Sequence, residues 1–131
     1  MNTPYDIMID LESMGTGSNA AIIAIGAVRF CMVDGIVSEF YETVDLASSI
    51  SFGLDMDPDT VLWWMQQDDA ARREFKRSGS PLYAALNNLV EFIPEECNIW
   101  GNGATFDNVI LSNAYYKCGI PRPWSFRNDR C

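Results

Sequence analysis

The apolar run Ile7-Met8-Ile9 leads straight into Asp10-Leu11-Glu12, so two carboxylates stand two residues apart at the end of a segment apolar enough to form a buried strand. Side chains alternate across a strand, so Asp10 and Glu12 project to one side of whatever sheet forms. Placed this way they repel each other, and one tends to keep its proton unless a cation relieves the conflict. The stretch 5–11 is almost continuously apolar after Asp6, which predicts a strand near the middle of a sheet and covered on both faces.

The neighbouring segments extend this pattern. A turn-rich break at residues 13–19 precedes a long β-branched and apolar stretch over 20–33, expected as a second strand. Asp34-Gly35 is a hairpin signal, and residues 36–44 continue as a third strand. The period then changes. Asp57-Pro58-Asp59-Thr60 reads as a helix start, with one helix expected through residue 75. Ser80-Pro81 starts a second helix, whose Leu82, Leu86, Leu89, Val90 and Ile93 mark an apolar stripe. Residues 98–100 suit a short strand. Thr105 is placed to cap a third helix that turns Val109, Ile110 and Tyr116 to the core and ends at Gly119. A last strand is expected to begin over 124–127. Strands and helices interleave, so the expected fold is α/β with a mixed sheet flanked by helices.

Composition limits the function classes. With 131 residues, 48% of them hydrophobic, the chain suits a single globular domain over 1–131. Its apolar runs are too short to cross a bilayer, so no membrane partner is expected. The N-terminus shows no basic region followed by an apolar stretch, and the expected location is cytoplasmic. The four cysteines, Cys31, Cys97, Cys118 and Cys131, form no C-x-x-C pair and there is no histidine, so a zinc site is disfavoured and reduced thiols are expected. A net charge of −9 argues against a broad phosphate-tracking surface. It leaves room for an enzyme that acts on a nucleic-acid end, because a metal held by carboxylates reverses the local sign where a phosphate must sit.

A third carboxylate, Asp107, closes the segment Trp100-Gly101-Asn102-Gly103-Ala104-Thr105-Phe106-Asp107. At the start of a helix that follows a strand, it can reach the same ions as Asp10 and Glu12. Oxygen-only donors suit Mg²⁺ or Mn²⁺, and two such ions activate a water and stabilise the leaving oxygen of an in-line phosphoryl displacement.

Asp10-Leu11-Glu12, followed far downstream by Asn102-x-x-x-Phe106-Asp107-x-x-x-Leu111, resembles the first two motifs of the DEDD superfamily of 3′-5′ exonucleases, which have a ribonuclease H-like fold. The segments IDLESMGTGSNAAIIAIGAVRF, TVLWWMQQDDAAR, WGNGATFDNVIL and WSFRNDR resemble more narrowly the phage and prophage branch labelled exonuclease VIII-like. The resemblance implies Asp10, Glu12 and Asp107 as metal ligands and catalytic residues. It implies that Met14, Gly15 and Thr16 contact the terminal nucleotide, and that Asn102 and Phe106 position the scissile one. The implied partner is a nucleic-acid 3′ end, with single-stranded DNA ranked ahead of RNA.

The family's third motif carries a general-base histidine and a fourth aspartate on a C-terminal helix. This chain has no histidine, and Asp129 reads as structural rather than as that fourth ligand. The expectation is therefore a C-terminally incomplete domain that lacks this helix, with an exposed apolar patch that a homodimer or another partner would cover, and with weakened or no activity. A non-catalytic remnant that binds nucleic acid or a partner protein is the alternative, and an acidic mimic of nucleic acid is a third reading that rests on charge alone. Trp63-Trp64 with Arg72, Arg73, Lys76 and Arg77 reads either as a helix with a buried aromatic side or as a surface for single strands.

Overall fold

The computed structural model describes residues 5–76, 79–103 and 105–131. Three antiparallel strands open the chain: β1 (Asp6–Ser13), β2 (Ile22–Cys31) and β3 (Gly35–Thr43). Four helices follow: α1 (Leu46–Ser51), α2 (Pro58–Met65), α3 (Asp69–Lys76) and α4 (Leu82–Phe92). The short strand β4 (Ile99–Gly101) leads into α5 (Asp107–Cys118), and a 3₁₀ turn over Phe126–Asn128 leads into β5 (Asp129–Arg130). The sheet has the order β3-β2-β1-β4-β5, with β4 parallel to both β1 and β5. The expected mixed sheet flanked by helices is therefore present, with β1 at its centre.

Alternation along β1 sends Ile7, Ile9 and Leu11 into the core, against a helical layer that includes Leu82, Leu86 and Leu89 of α4 and Ile110, Leu111 and Tyr115 of α5. Burial of each such side chain stabilises by about 1.5–3 kcal/mol. The opposite face of β1 is more open: Met8 and Glu12 are half-buried and Asp10 is exposed. The expectation of a strand covered on both faces is thus corrected to one covered face. An apolar run of three residues hid the period-two pattern until Asp10 and Glu12 disclosed it.

Four other elements depart from expectation. The single helix expected through residue 75 is two, because Asp68 caps a new start: its Oδ1 accepts from Ala71 N at 2.9 Å, and its backbone carbonyl accepts from Arg72 N. Helix α1 was not anticipated; Asp45 caps it by accepting from Ser48 N at 3.2 Å. Thr105 is not the cap of α5. Phe106 holds that position, and the amides of Phe106 and Asp107 both donate to Gly103 O, so backbone closes the turn. Along α5, Ile110 faces the core as expected, but Val109 and Tyr116 point outward and Tyr115 is the buried tyrosine, donating its hydroxyl to Leu86 O. Val109 and Tyr116 are seven residues apart and so share the outer face. The segment expected to begin a strand at 124 forms the 3₁₀ turn first, since Ser125 Oγ accepts from Arg127 N. Gly119 ends α5 in the left-handed region, at φ 69°, as a glycine in that place should. All four cysteines are free, Cys31 and Cys97 in the core. Among the described residues, no helix is long and apolar enough to cross a membrane.

Candidate active site

Asp107 is joined to β1 through the backbone. The odd-numbered amides of β1 point toward β4: Ile7 N donates to Asn98 O at 3.0 Å. β4 ends at Gly101, paired with Ile9, so the amide of Leu11 lies past the last residue of β4. Asp107 Oδ1 accepts it at 3.2 Å, while Oδ2 accepts from Asn102 N at 3.0 Å. The carboxylate thus continues the ladder where the strand stops. Leu11 lies between Asp10 and Glu12, so this bond brings the third acid to the strand segment that carries the other two.

Close packing under the turn makes this reach possible. At Gly101 a Cβ would lie 2.6 Å from Asn108 Oδ1 and 3.2 Å from Asp107 Cβ, so the start of α5 approaches β4 only across a glycine. Gly103 turns the chain at φ 92°. The buried Asn108 fixes the helix from the other side, with Nδ2 donating to Ile99 O at 3.0 Å and to Asp129 Oδ1 at 2.9 Å. Asp129 Oδ1 also accepts from Trp124 Nε1 at 2.6 Å. Asp129 is therefore bound into the packing of β5 against α5, in keeping with its reading as structural.

Asp107 is only 2% exposed, and burial pushes its carboxyl above the ordinary carboxylate range. The amides of Leu11 and Asn102 oppose this shift, and the negative charge of Asp10 adds to it. The negative charge of Asp10 thus acts on Asp107, a pairing other than the one with Glu12 that strand period suggested. Donors made only of carboxylate oxygens fit a hard divalent cation chemically. Among the described residues, no three acidic, histidine or cysteine side chains are arranged closely enough to hold an ion as they stand.

A cleft of about 490 Å³ adjoins this segment. One wall comes from Leu11, Glu12 and Ser13 of β1 with Gly15 and Thr16, and the other from α2 and its cap, through Asp57, Asp59, Thr60, Trp63 and Trp64; Phe106 completes it. Of the residues expected to touch a nucleotide, Gly15, Thr16 and Phe106 line this cleft, and Asn102 lies exposed at the Asp107 turn. Met14 does not line it. Its side chain is in the core, its amide donates to Ala21 O at 2.8 Å, and its carbonyl accepts from Asp57 N at 2.8 Å. Asp57, Asp59 and Thr60 were not singled out as site residues, because nothing in the spacing between residues 12 and 57 reports that they meet.

The Trp63-Trp64 pair divides. Both line the cleft, but Trp64 is buried and donates Nε1 to Ser13 O at 3.0 Å, whereas Trp63 is exposed. Arg72 pairs with Asp69 at 2.6 Å on α3. Arg77 and the side chain of Lys76 lie outside the described residues.

The strand order β3-β2-β1-β4-β5 with its flanking helices is a ribonuclease H-like fold, that of the DEDD 3′-5′ exonuclease superfamily. Residues 5–131 match the family described as the Rv2179c-like 3′-5′ exoribonuclease domain, and the chain belongs to that family. It is 27% identical over 123 residues to an exodeoxyribonuclease of Enterobacteria phage T4, an alignment that takes in 82% of this chain and 54% of that protein. Its fold matches E. coli exonuclease I in complex with a dT13 oligonucleotide, with a TM-score of 0.70 and 19% identity over 96% of this chain and 26% of the other. The exonuclease I chain of a complex with the SSB C-terminus matches with a TM-score of 0.72 and 19% identity, over 97% of this chain and 27% of that one. The chain thus spans about half the length of the phage relative and about a quarter of the exonuclease I chains.

Proposed function

We propose that the chain carries the catalytic face of a metal-dependent 3′-5′ exonuclease that hydrolyses phosphodiester bonds at nucleic-acid 3′ ends, DNA in the first instance. The observation that carries this reading is the bond from Leu11 N to Asp107 Oδ1, which ties the third carboxylate to the strand segment bearing Asp10 and Glu12. Asp10, Glu12 and Asp107 would hold Mg²⁺ or Mn²⁺. When bound, such ions supply an activated water and stabilise the leaving oxygen. The protein's own part is to fix one acid by two backbone amides, to present the other two from a central strand, and to receive the terminal nucleotide beside Gly15, Thr16 and Phe106, with Asn102 at the turn.

The T4 exodeoxyribonuclease and the oligonucleotide held by E. coli exonuclease I support DNA as substrate and, for the phage relative, a phage or prophage lineage. The family description names RNA, so both strands belong in the test. A 5′-labelled single strand of DNA or RNA is incubated with the chain and Mn²⁺, beside Asp10→Ala. Ladder-like shortening from the 3′ end, lost in the variant, is the expected result. Shortening that persists in Asp10→Ala would sink the assignment.

A second reading, a non-catalytic remnant that binds nucleic acid or a partner protein, is favoured by one fact: none of the 131 residues is a histidine. A positioned base typically contributes 10²–10⁴-fold, and these residues supply no histidine for that role. Strand binding that is unchanged in Asp10→Ala, with no shortening, would select this reading.

A further inference from the structure

The turn between β4 and α5 holds the one Asn-Gly pair of the sequence, Asn102-Gly103. Asparagine is a thermolabile residue, because its side-chain carbonyl carbon lies within reach of the next backbone nitrogen. The bulk of the following side chain slows that attack, and so do hydrogen bonds that hold the two groups apart. Neither restraint is present at Asn102. A Cβ built on Gly103 would meet nothing nearer than Phe106 Cβ at 4.0 Å, so the space around the pair is open. Gly103 stands at φ 92°, a conformation that favours glycine, so the fold itself keeps the smallest neighbour beside Asn102. Asn102 is exposed, and among the described residues neither its side chain nor Gly103 N makes a hydrogen bond. Its backbone amide is the donor to Asp107 Oδ2, so the residue is held by its main chain and its side chain is free to turn.

The other described asparagines lack this combination. Asn19, Asn87, Asn88, Asn108, Asn113 and Asn128 each donate Nδ2 to an oxygen of another residue. Asn98 precedes Ile99, which is buried and β-branched. At Asn102 the chemistry is local. Gly103 N attacks Asn102 Cγ, and the new N–Cγ bond closes a succinimide ring. The side-chain nitrogen takes the proton of the Gly103 amide and leaves as ammonia. Water then opens the ring at either carbonyl, giving aspartate or isoaspartate. Both products place a carboxylate in the turn that carries Asp107, where asparagine held a neutral amide that could also donate. Isoaspartate in addition lengthens the main chain by one methylene between residues 102 and 103. That turn is closed by Gly103 O, which accepts from the amides of Phe106 and Asp107, and it has no slack for a longer chain.

We propose that Asn102-Gly103 is a spontaneous deamidation site that the fold leaves unprotected, and that its conversion loosens the turn positioning Asp107. The chemistry needs no substrate, so the proposal stands apart from the exonuclease reading, and strand shortening bears on neither of its two results. The full chain is incubated at pH 8, folded in one sample and unfolded in guanidinium chloride in another. Peptides covering residue 102 are followed by mass spectrometry for the mass increase of an amide-to-acid conversion. Residue 102 converts in the folded chain at a rate within a few-fold of the unfolded chain, and faster in more alkaline buffer, while Asn98 and Asn108 of the folded chain remain amides. The converted protein, separated from fresh protein by anion exchange on its extra negative charge, unfolds at a lower urea concentration. A folded rate slower than the unfolded one by an order of magnitude or more would mean that the turn protects the pair, and would overturn the proposal. A rate indifferent to alkalinity would exclude attack by the Gly103 amide. A converted fraction as resistant to urea as fresh protein would overturn the claim that the turn loosens.

Discussion

Leu11 donates its backbone amide to Asp107 Oδ1 at 3.2 Å, so a helix side chain completes the hydrogen bonding of the central strand just past the end of its parallel neighbour. That bond couples the candidate site to the fold. Asp107→Ala leaves two backbone amides without their acceptor, and each bond to a charged group is worth about 1.5–3 kcal/mol. Urea unfolding should show a loss of that order or more, together with lost Mn²⁺ binding by calorimetry. Metal binding that survived the substitution would remove Asp107 from the proposed ligand set.

The pH dependence has a definite sign. Burial raises the Asp107 carboxyl above its ordinary value of 3.8, so in this region the folded state holds a proton more readily than the unfolded chain. The stability contributed by Asp107 is fully present below pH 3.8 and is lost as pH rises through the raised folded value. Relative to Asp107→Asn, which does not titrate, the wild type should therefore lose urea resistance across that window. Added Mg²⁺ favours the carboxylate and flattens the decline. A difference between the two proteins that grows in favour of the wild type over the same rise would contradict the burial argument.

Gly101→Ala tests the approach of α5 to β4. The new methyl would lie 2.6 Å from Asn108 Oδ1, so the helix start must shift or the strand must bend. Overpacking of this kind costs about 1–3 kcal/mol. Metal affinity should fall along with thermal stability, because the same displacement moves Asp107. An unchanged melting temperature would show that the turn relaxes freely.

Asp129 gives the complementary case. Its Oδ1 receives both Asn108 Nδ2 and Trp124 Nε1, so Asp129→Ala should destabilise the fold by about 1–3 kcal/mol. Metal affinity of the folded variant should stay within a factor of two or so of wild type on this reading. A large selective loss of affinity would make Asp129 a ligand after all.

The thiols should react in order of their surroundings. Burial pushes the Cys97 thiol up to about 11, which leaves about one thiolate in a thousand at pH 8. Cys131 is exposed at the end of the chain. Brief iodoacetamide treatment at pH 8, read by peptide mass spectrometry, should modify Cys131 and spare Cys97 until the protein is unfolded. Rapid modification of Cys97 in the native protein would mean that the core around it opens.

Local chemistry explains which elements could be read directly. The hairpin at Asp34-Gly35, the stripe of α4 and the stop at Gly119 each depend on residues within one or two turns of the chain, and each was expected where it occurs. The errors arose where a local signal was weak or masked. Asp68 is a helix cap set among other polar residues, and Asp45 heads a helix of only six residues, so neither start stood out. Thr105 was the better cap on propensity, but the backbone turn closed by Gly103 O took its place. Tyr115 and Tyr116 are adjacent and chemically alike, and only the direction from which α4 packs chooses between them.

The candidate site divides along the same line. That Asp10 and Glu12 share a face follows from strand period alone, the place of Asp107 at the start of a helix after a strand suggested its reach to them, and the family resemblance added Phe106. The side of β1 that stays open, the bond from Leu11 to Asp107, and the meeting of Glu12 with Asp57, Asp59 and Trp63 depend on contacts between residues 45 to 96 positions apart in the chain. Periodicity encodes which way a side chain points from its own strand or helix. What it points at is set by how strands and helices pack, and that geometry is a property of the whole sheet rather than of any segment within it.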